Sequence, residues 1–235
     1  MNATLSTGET LRFPVPIREL TQFIVVYAVK SAEVARLLPA DLRPLEATDG
    51  MGQMNLYWLE AADSGFGPFR EFAVNFAVRE PRTGSPAFHY HANPINTERG
   101  RVAGIEAWGH PTSLADVSFE RDAGGLRSAV SENGRFMLSV AARPRPRAPM
   151  TTAGLLTTAG DYAARRRCNV YRFMQRARAA AREERAAVEL RLGDHPLAQQ
   201  IASLVGNRPP LYTLCYAGST ILSGPRFSDI DARKH

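Results

Sequence analysis

Apolar and polar residues alternate with a period of two through several short stretches rich in β-branched and aromatic side chains: residues 23–29, 54–59, 72–78, 135–140 and 211–216. Alternation of this kind gives a strand one buried face and one differently used face. Turn signals punctuate the stretches at Asp49-Gly50, 81–86, Gly124-Gly125, Glu132-Asn133-Gly134 and 207–210, where glycine, proline and asparagine favour chain reversal. The pattern predicts a mainly β (α+β) fold, an antiparallel β-barrel-like structure with a few short helices, closed to protect its edges. One segment breaks the pattern. Between residues 161 and 187, Val170, Phe173, Met174, Ala177 and Ala181 share one helical face among alanines and arginines, so propensity predicts a helix there.

No linker or repeat divides the 235 residues, and a single domain over 1–235 is expected. No run approaches the ~20 apolar residues of a membrane helix. Residues 1–10 lack a basic region followed by an apolar stretch, so no signal peptide and a cytoplasmic location are expected. Cys168 and Cys215 lie far apart, without the spacing of a metal or redox pair, and read as free buried thiols. A net charge of +6 raises the question of nucleic acid. The basic residues cluster at 143–147 and 165–167 with no recognition motif around them, so they read as a solvated face. Neither a nucleic acid nor a membrane is the expected partner.

Two motifs carry the chemistry. Residues 64–71 read S-G-F-G-P-F-R-E, and residues 104–114 read G-I-E-A-W-G-H-P-T-S-L. They resemble, in order and spacing, the S-G-x-G-x-[YF]-x-E and G-R-E-x-x-x-[YF]-P-K-K-L patterns of the acetoacetate decarboxylase superfamily. The opening 23–29 stretch with Ser31 to Pro39 is similar to the same family, as is the closing series 188–192, His195-Pro196-Leu197 and 211–224. The resemblance implies a barrel-like architecture whose interior holds the substrate. In that family the first lysine after the proline condenses with a ketone, activated by a cationic neighbour. Here that position is Thr112, the next is Ser113, and the family's arginine before the glutamate is Ile105. The only lysines are Lys30 and Lys234, so the chain resembles a member lacking the Schiff-base lysine.

The resemblance marks Glu71 and Glu106 as active-site candidates. A carboxyl in a barrel interior loses solvation, its pKa rises, and it can move protons near neutral pH. Glu106 could equally pair with Arg18 or Arg101 to hold the architecture. His110, one residue from the proline where the family has an aromatic, could transfer protons or simply pack. These three form the expected catalytic set. Arg18, Tyr27, Phe69, His91, Trp108, Thr112 and Ser113 form the expected substrate-binding set. His89 and His91 share a strand face and could make a metal site with His110, yet neither metal nor cofactor is expected.

The function expected is acid/base chemistry on a keto, enone or polyketide-like small molecule, by cyclisation, dehydration, isomerisation or lyase cleavage, in a homo-oligomeric enzyme of secondary metabolism. The alternative is a non-catalytic protein that keeps the cavity for binding. Lysine-dependent decarboxylation is the reading that Thr112 opposes.

Overall fold

The computed structural model describes residues 2–80, 83–122, 125–144, 148–162, 165–183, 187–224 and 226–229. A ten-stranded sheet dominates. Its pairing path runs through Phe69–Arg79, Met51–Ser64, Val15–Lys30, Tyr212–Leu222, Arg165–Glu183, Ala148–Tyr162 and Pro86–Ile95, with short strands at its margins. Pro86–Ile95 also pairs antiparallel with Phe69–Arg79, and it meets Ala148–Tyr162 through two parallel register pairs. A five-stranded sheet contains Gly125–Glu132, Arg135–Ala142 and Val188–Leu192, and Asn2–Thr4 pairs with Thr10–Arg12. Mainly β character with few, short helices is thus what the chain adopts. The strands divide among three sheets, and in the large one the pairing of Pro86–Ile95 with Phe69–Arg79 joins the two ends of the seven-strand path.

Period-two alternation decides what each face of the large sheet meets. Phe23, Val25, Tyr27 and Val29, with Met54, Leu56, Trp58, Phe72, Val74 and Phe76, turn to one side. There they pack with Leu126, Val130, Leu138 and Val140 of the smaller sheet and with Ala198, Ile201 and Leu204 of the helix Pro196–Val205. The alternate residues, Leu20, Gln22, Ile24 and Val26 with Gln53, Asn55, Tyr57 and Leu59, turn to the other side and line a cavity.

Residues 165–183, expected as a helix, form a strand instead. It pairs on one side with Ala148–Tyr162 and on the other with Tyr212–Leu222. Phe173 and Gln175 face the cavity, while Arg172, Arg176, Arg178 and Arg182 are exposed. Ala148–Tyr162 supplies backbone partners along 165–180, Tyr212–Leu222 along 173–183 and Arg226–Asp229 along 167–170, and that tertiary pairing overrides the helical propensity of Ala and Arg. A short helix, Ser31–Ala35, follows directly on Val15–Lys30. Asn133 and Gly134 both have positive φ, at 52° and 75°, as the tight hairpin between Gly125–Glu132 and Arg135–Ala142 requires.

No helix among the described residues is long and apolar enough to cross a membrane. Cys215 is buried and its thiol is pushed up to about 11 by loss of solvation, a protonated and unreactive state. The side chain of Cys168 and those of the arginines at 145, 147 and 165–167 lie outside the described residues.

Candidate active site

The inward face of the large sheet surrounds a cavity of about 260 Å³. Local structure in the two motifs explains how residues reach it. In the first, Ser64 Oγ donates to the Gly67 carbonyl at 2.5 Å and accepts from the Phe66 amide at 3.2 Å, while Gly67 takes a φ of 92° that a side chain would strain. This turn launches Phe69–Arg79 with Phe69 and Glu71 facing inward, and Phe66 and Phe69 stack at 4.9 Å. In the second, the helix Glu98–Ala103 runs into a π-helical turn, Gly104–Trp108, a feature that recurs at functional sites. Gly109, at φ 68°, ends the turn and aims His110 at the cavity. Gly104 faces Thr112 so closely that an added Cβ would lie 2.6 Å from Thr112 Oγ1.

Glu71 is the centre of the site. It is 8% exposed, and burial pushes its carboxyl up to about 7 against the downward pull of hydrogen bonds from Asn93 and Tyr57. Asn93 Nδ2 donates to Glu71 Oε2 at 3.2 Å and to the Phe72 carbonyl at 3.3 Å. Because a carbonyl only accepts, the amide's other end must be the oxygen. That oxygen receives His110 Nδ1 at 3.2 Å and Thr112 Oγ1 at 3.3 Å. His110 therefore carries its proton on Nδ1. Burial lowers its pKa to about 3, so it is neutral, and its ring stacks on Tyr90 at 4.4 Å.

A β-bulge makes this grouping possible. Asn75 pairs with Tyr90, whereas the preceding Val74 pairs with Ala92, leaving His91 as the extra residue. Before the bulge Phe88 and Tyr90 face the cavity; after it Asn93 and Ile95 do. The inserted residue reverses the phase of the strand, as bulges beside active sites commonly do.

The expected residues divide accordingly. Glu71, His110, Phe69 and Trp108 line the cavity, and Trp108 is anchored by donation from Nε1 to the Ser223 carbonyl at 3.2 Å. Thr112 sits one layer back, bonded to Asn93. Ser113 pairs with Pro94 in the edge pairing and does not line the cavity. Glu106 lies apart from Glu71: its carboxylate receives the Ser6 amide at 2.7 Å and the Ser6 hydroxyl, so it fastens the N-terminal segment to the π turn. Arg18 points outward to Asp63 at 2.7 Å. Tyr27, on the opposite parity from the cavity residues, is buried in the hydrophobic core.

His91 bonds Gln200 at 2.7 Å and packs on Phe76, and His89 is buried with its pKa lowered to about 4 by loss of solvation. Both share a face as expected, but it is the face opposite Tyr90 and His110. The three histidines do not converge, and among the described residues no cluster of three His, Cys, Asp or Glu side chains could hold a metal. Tyr57, Asn93 and the polar series Gln53, Asn55 and Asn75 were not anticipated. Gln53 Nε2 donates to Asn55 Oδ1 at 2.8 Å, and Asn55 Nδ2 to Asn75 Oδ1 at 2.7 Å.

Residues 3–209 match the family described as Acetoacetate decarboxylase (ADC). The chain belongs to this family. Among solved structures, acetoacetate decarboxylase from Legionella pneumophila is similar with a TM-score of 0.76 at 16% identity, covering 92% of this chain and 87% of that one. The enduracididine biosynthesis enzyme MppR, complexed with pyruvate, has a TM-score of 0.72 at 16% identity, with 95% of each chain covered. An acetoacetate decarboxylase-like enzyme from Sphingomonas wittichii has a TM-score of 0.59 at 11% identity, covering 93% of this chain and 94% of that one. These likenesses establish the fold. No curated protein matches the chain significantly in sequence.

Proposed function

We propose that this family member is an enzyme that moves protons on a keto or enone small molecule through Glu71, without a Schiff base. The observation that carries the proposal is a buried carboxyl with its pKa pushed up to about 7, facing a largely apolar cavity and oriented by Asn93 and Tyr57. At neutral pH both protonation states of such a group are populated, so it can remove a proton and return it. Cyclisation, dehydration, isomerisation and lyase cleavage all need that exchange. The absence of an iminium is supported by Thr112 at the family's lysine position and by Lys30, whose side chain is 59% exposed beside Glu33. Among the described residues no lysine lines the cavity.

That MppR, an enzyme of this fold, is complexed with pyruvate and with a condensation product of pyruvate and imidazole 4-carboxaldehyde supports a carbonyl substrate in biosynthesis here. A purely binding role would be favoured if structural contacts occupied both carboxylates. Glu106 is so occupied, but Glu71 meets neutral donors that orient its charge and leave it free to titrate.

The test is turnover of a panel of ketones and enones followed by mass spectrometry, first with the native protein and then with Glu71→Gln. The variant keeps size and most hydrogen bonding, so it should fold while turnover falls roughly 10²-fold or more. Unchanged turnover in Glu71→Gln would remove Glu71 from the chemistry.

A further inference from the structure

The cavity walls are graded along the strand direction. At one end Ile17, Leu20, Phe66, Phe69, Trp108 and Leu222 make an apolar pocket. Glu71 follows, with Tyr57 and His110. Farther along lie Gln53, Asn55 and Asn75, all lining the cavity, with Asn55 and Asn75 buried. Asn75 stands four residues beyond Glu71 on the same strand, a rise of about 13 Å. Within this amide series Asn75 accepts through Oδ1. Its Nδ2 brings two N–H groups that the series does not itself consume. Such a cluster presents donors to an oxygen in the cavity.

The wall also has an electrostatic character. Among the described residues its ionisable acid is Glu71, its imidazole is neutral, and neither lysine nor arginine contributes to it. The arginines of Arg165–Glu183 that are described, Arg172, Arg176, Arg178 and Arg182, are exposed, and of these Arg182 lies over the ring of the wall residue Tyr212, 4.1 Å from its centroid, without itself lining the cavity. Among the described wall residues a carboxylate or phosphate entering this space would surrender its hydration and meet no counter-charge, which is strongly unfavourable.

We infer that the substrate is an uncharged molecule with an apolar ring or chain at one end, a carbonyl near Glu71 and a second neutral oxygen held by the Gln53, Asn55 and Asn75 amides. This rests on the proposed function for the carbonyl's place beside Glu71. The charge selection and the amide subsite rest on the cavity walls alone.

Three probes test it by titration calorimetry at pH 8. Methyl 8-oxo-10-phenyldecanoate is uncharged, with six methylenes to carry its ester toward the amides; 8-oxo-10-phenyldecanoate is its carboxylate; 1-phenylundecan-3-one lacks the far oxygen. The ester should bind roughly tenfold or more tighter than the carboxylate, and that preference should persist in Glu71→Gln, because it reflects the missing counter-charge. Equal or tighter carboxylate binding, loss of the preference in Glu71→Gln, or failure of the ester to bind would overturn the inference. Asn75→Leu should erase the ester's advantage over 1-phenylundecan-3-one, and an advantage that survives would remove the amide subsite. Binding is read without turnover, so a Glu71→Gln protein that stays active would refute the catalytic proposal while leaving these outcomes intact.

Discussion

Asn93 joins Glu71 and His110 through one amide, its Nδ2 3.2 Å from Glu71 Oε2 and its Oδ1 3.2 Å from His110 Nδ1. The Phe72 carbonyl fixes which way that amide points. The result is a directional relay: His110 and Thr112 donate into Asn93, and Asn93 donates into Glu71. Donation to the charged form of a carboxylate lowers its pKa, so Asn93 restrains the rise that burial imposes on Glu71.

Replacing Asn93 by leucine should therefore let the Glu71 pKa climb further above 7. The same change strands His110 Nδ1–H, Thr112 and the Phe72 carbonyl, which should lower stability by about 1–3 kcal/mol. The pH dependence of turnover reads the first effect, and urea unfolding the second. An unshifted pH profile would show that Asn93 does not tune Glu71.

The stability of the protein should also carry the mark of Glu71. Its folded pKa of about 7 lies above the 4.5 of an ordinary glutamate carboxyl, so the folded state retains a proton that the unfolded state releases. The contribution is fully present below the unfolded pKa and is lost as pH rises through the folded one, a change of about 3 kcal/mol across the window. Glu71→Gln lacks this slope. It should gain stability relative to the parent between pH 5 and pH 8 in paired urea titrations, and a constant difference would contradict the assignment.

Glu71, His110, Phe69 and Trp108 were legible through the resemblance of two short motifs to the family's, whose local turns carry those positions to the cavity wall. Tyr57 and Asn93 were not. Tyr57 reaches Glu71 through the pairing of separate strands, and Asn93 through a bulge whose extra residue, His91, nothing local announces. The contacts of Arg18 and Glu106 were hidden for a related reason: the partners they meet, Asp63 and Ser6, are 45 and 100 residues away. The strand Arg165–Glu183 is the largest departure from local expectation. Its arginines and alanines suit a helix, and the strands paired to it in the sheet hold it extended. The barrel implied by the resemblance likewise required knowledge of pairing that alternation does not contain.

The Schiff-base question has a direct answer. Borohydride treatment of the native protein with acetylacetone should give no covalent adduct by intact mass, since Lys30 is exposed and lies away from the cavity. Thr112→Lys should acquire one. The new stem would pass Gly104, itself part of the cavity wall, and desolvation would leave some of the amine neutral at pH 7. An adduct on the native protein at Lys30 would refute the Schiff-base-free account. A folded Thr112→Lys that traps nothing would show that position 112 does not reach the cavity.

The central claim is that Glu71 titrates near neutrality inside the cavity. Carbon-13 NMR of glutamate side-chain carboxyls, assigned by comparison with Glu71→Gln and followed from pH 4 to pH 9, measures this without any substrate. The account predicts one carboxyl resonance, absent from the variant, with its midpoint at about 7. A midpoint near 4.5, the value of an ordinary glutamate, would contradict it.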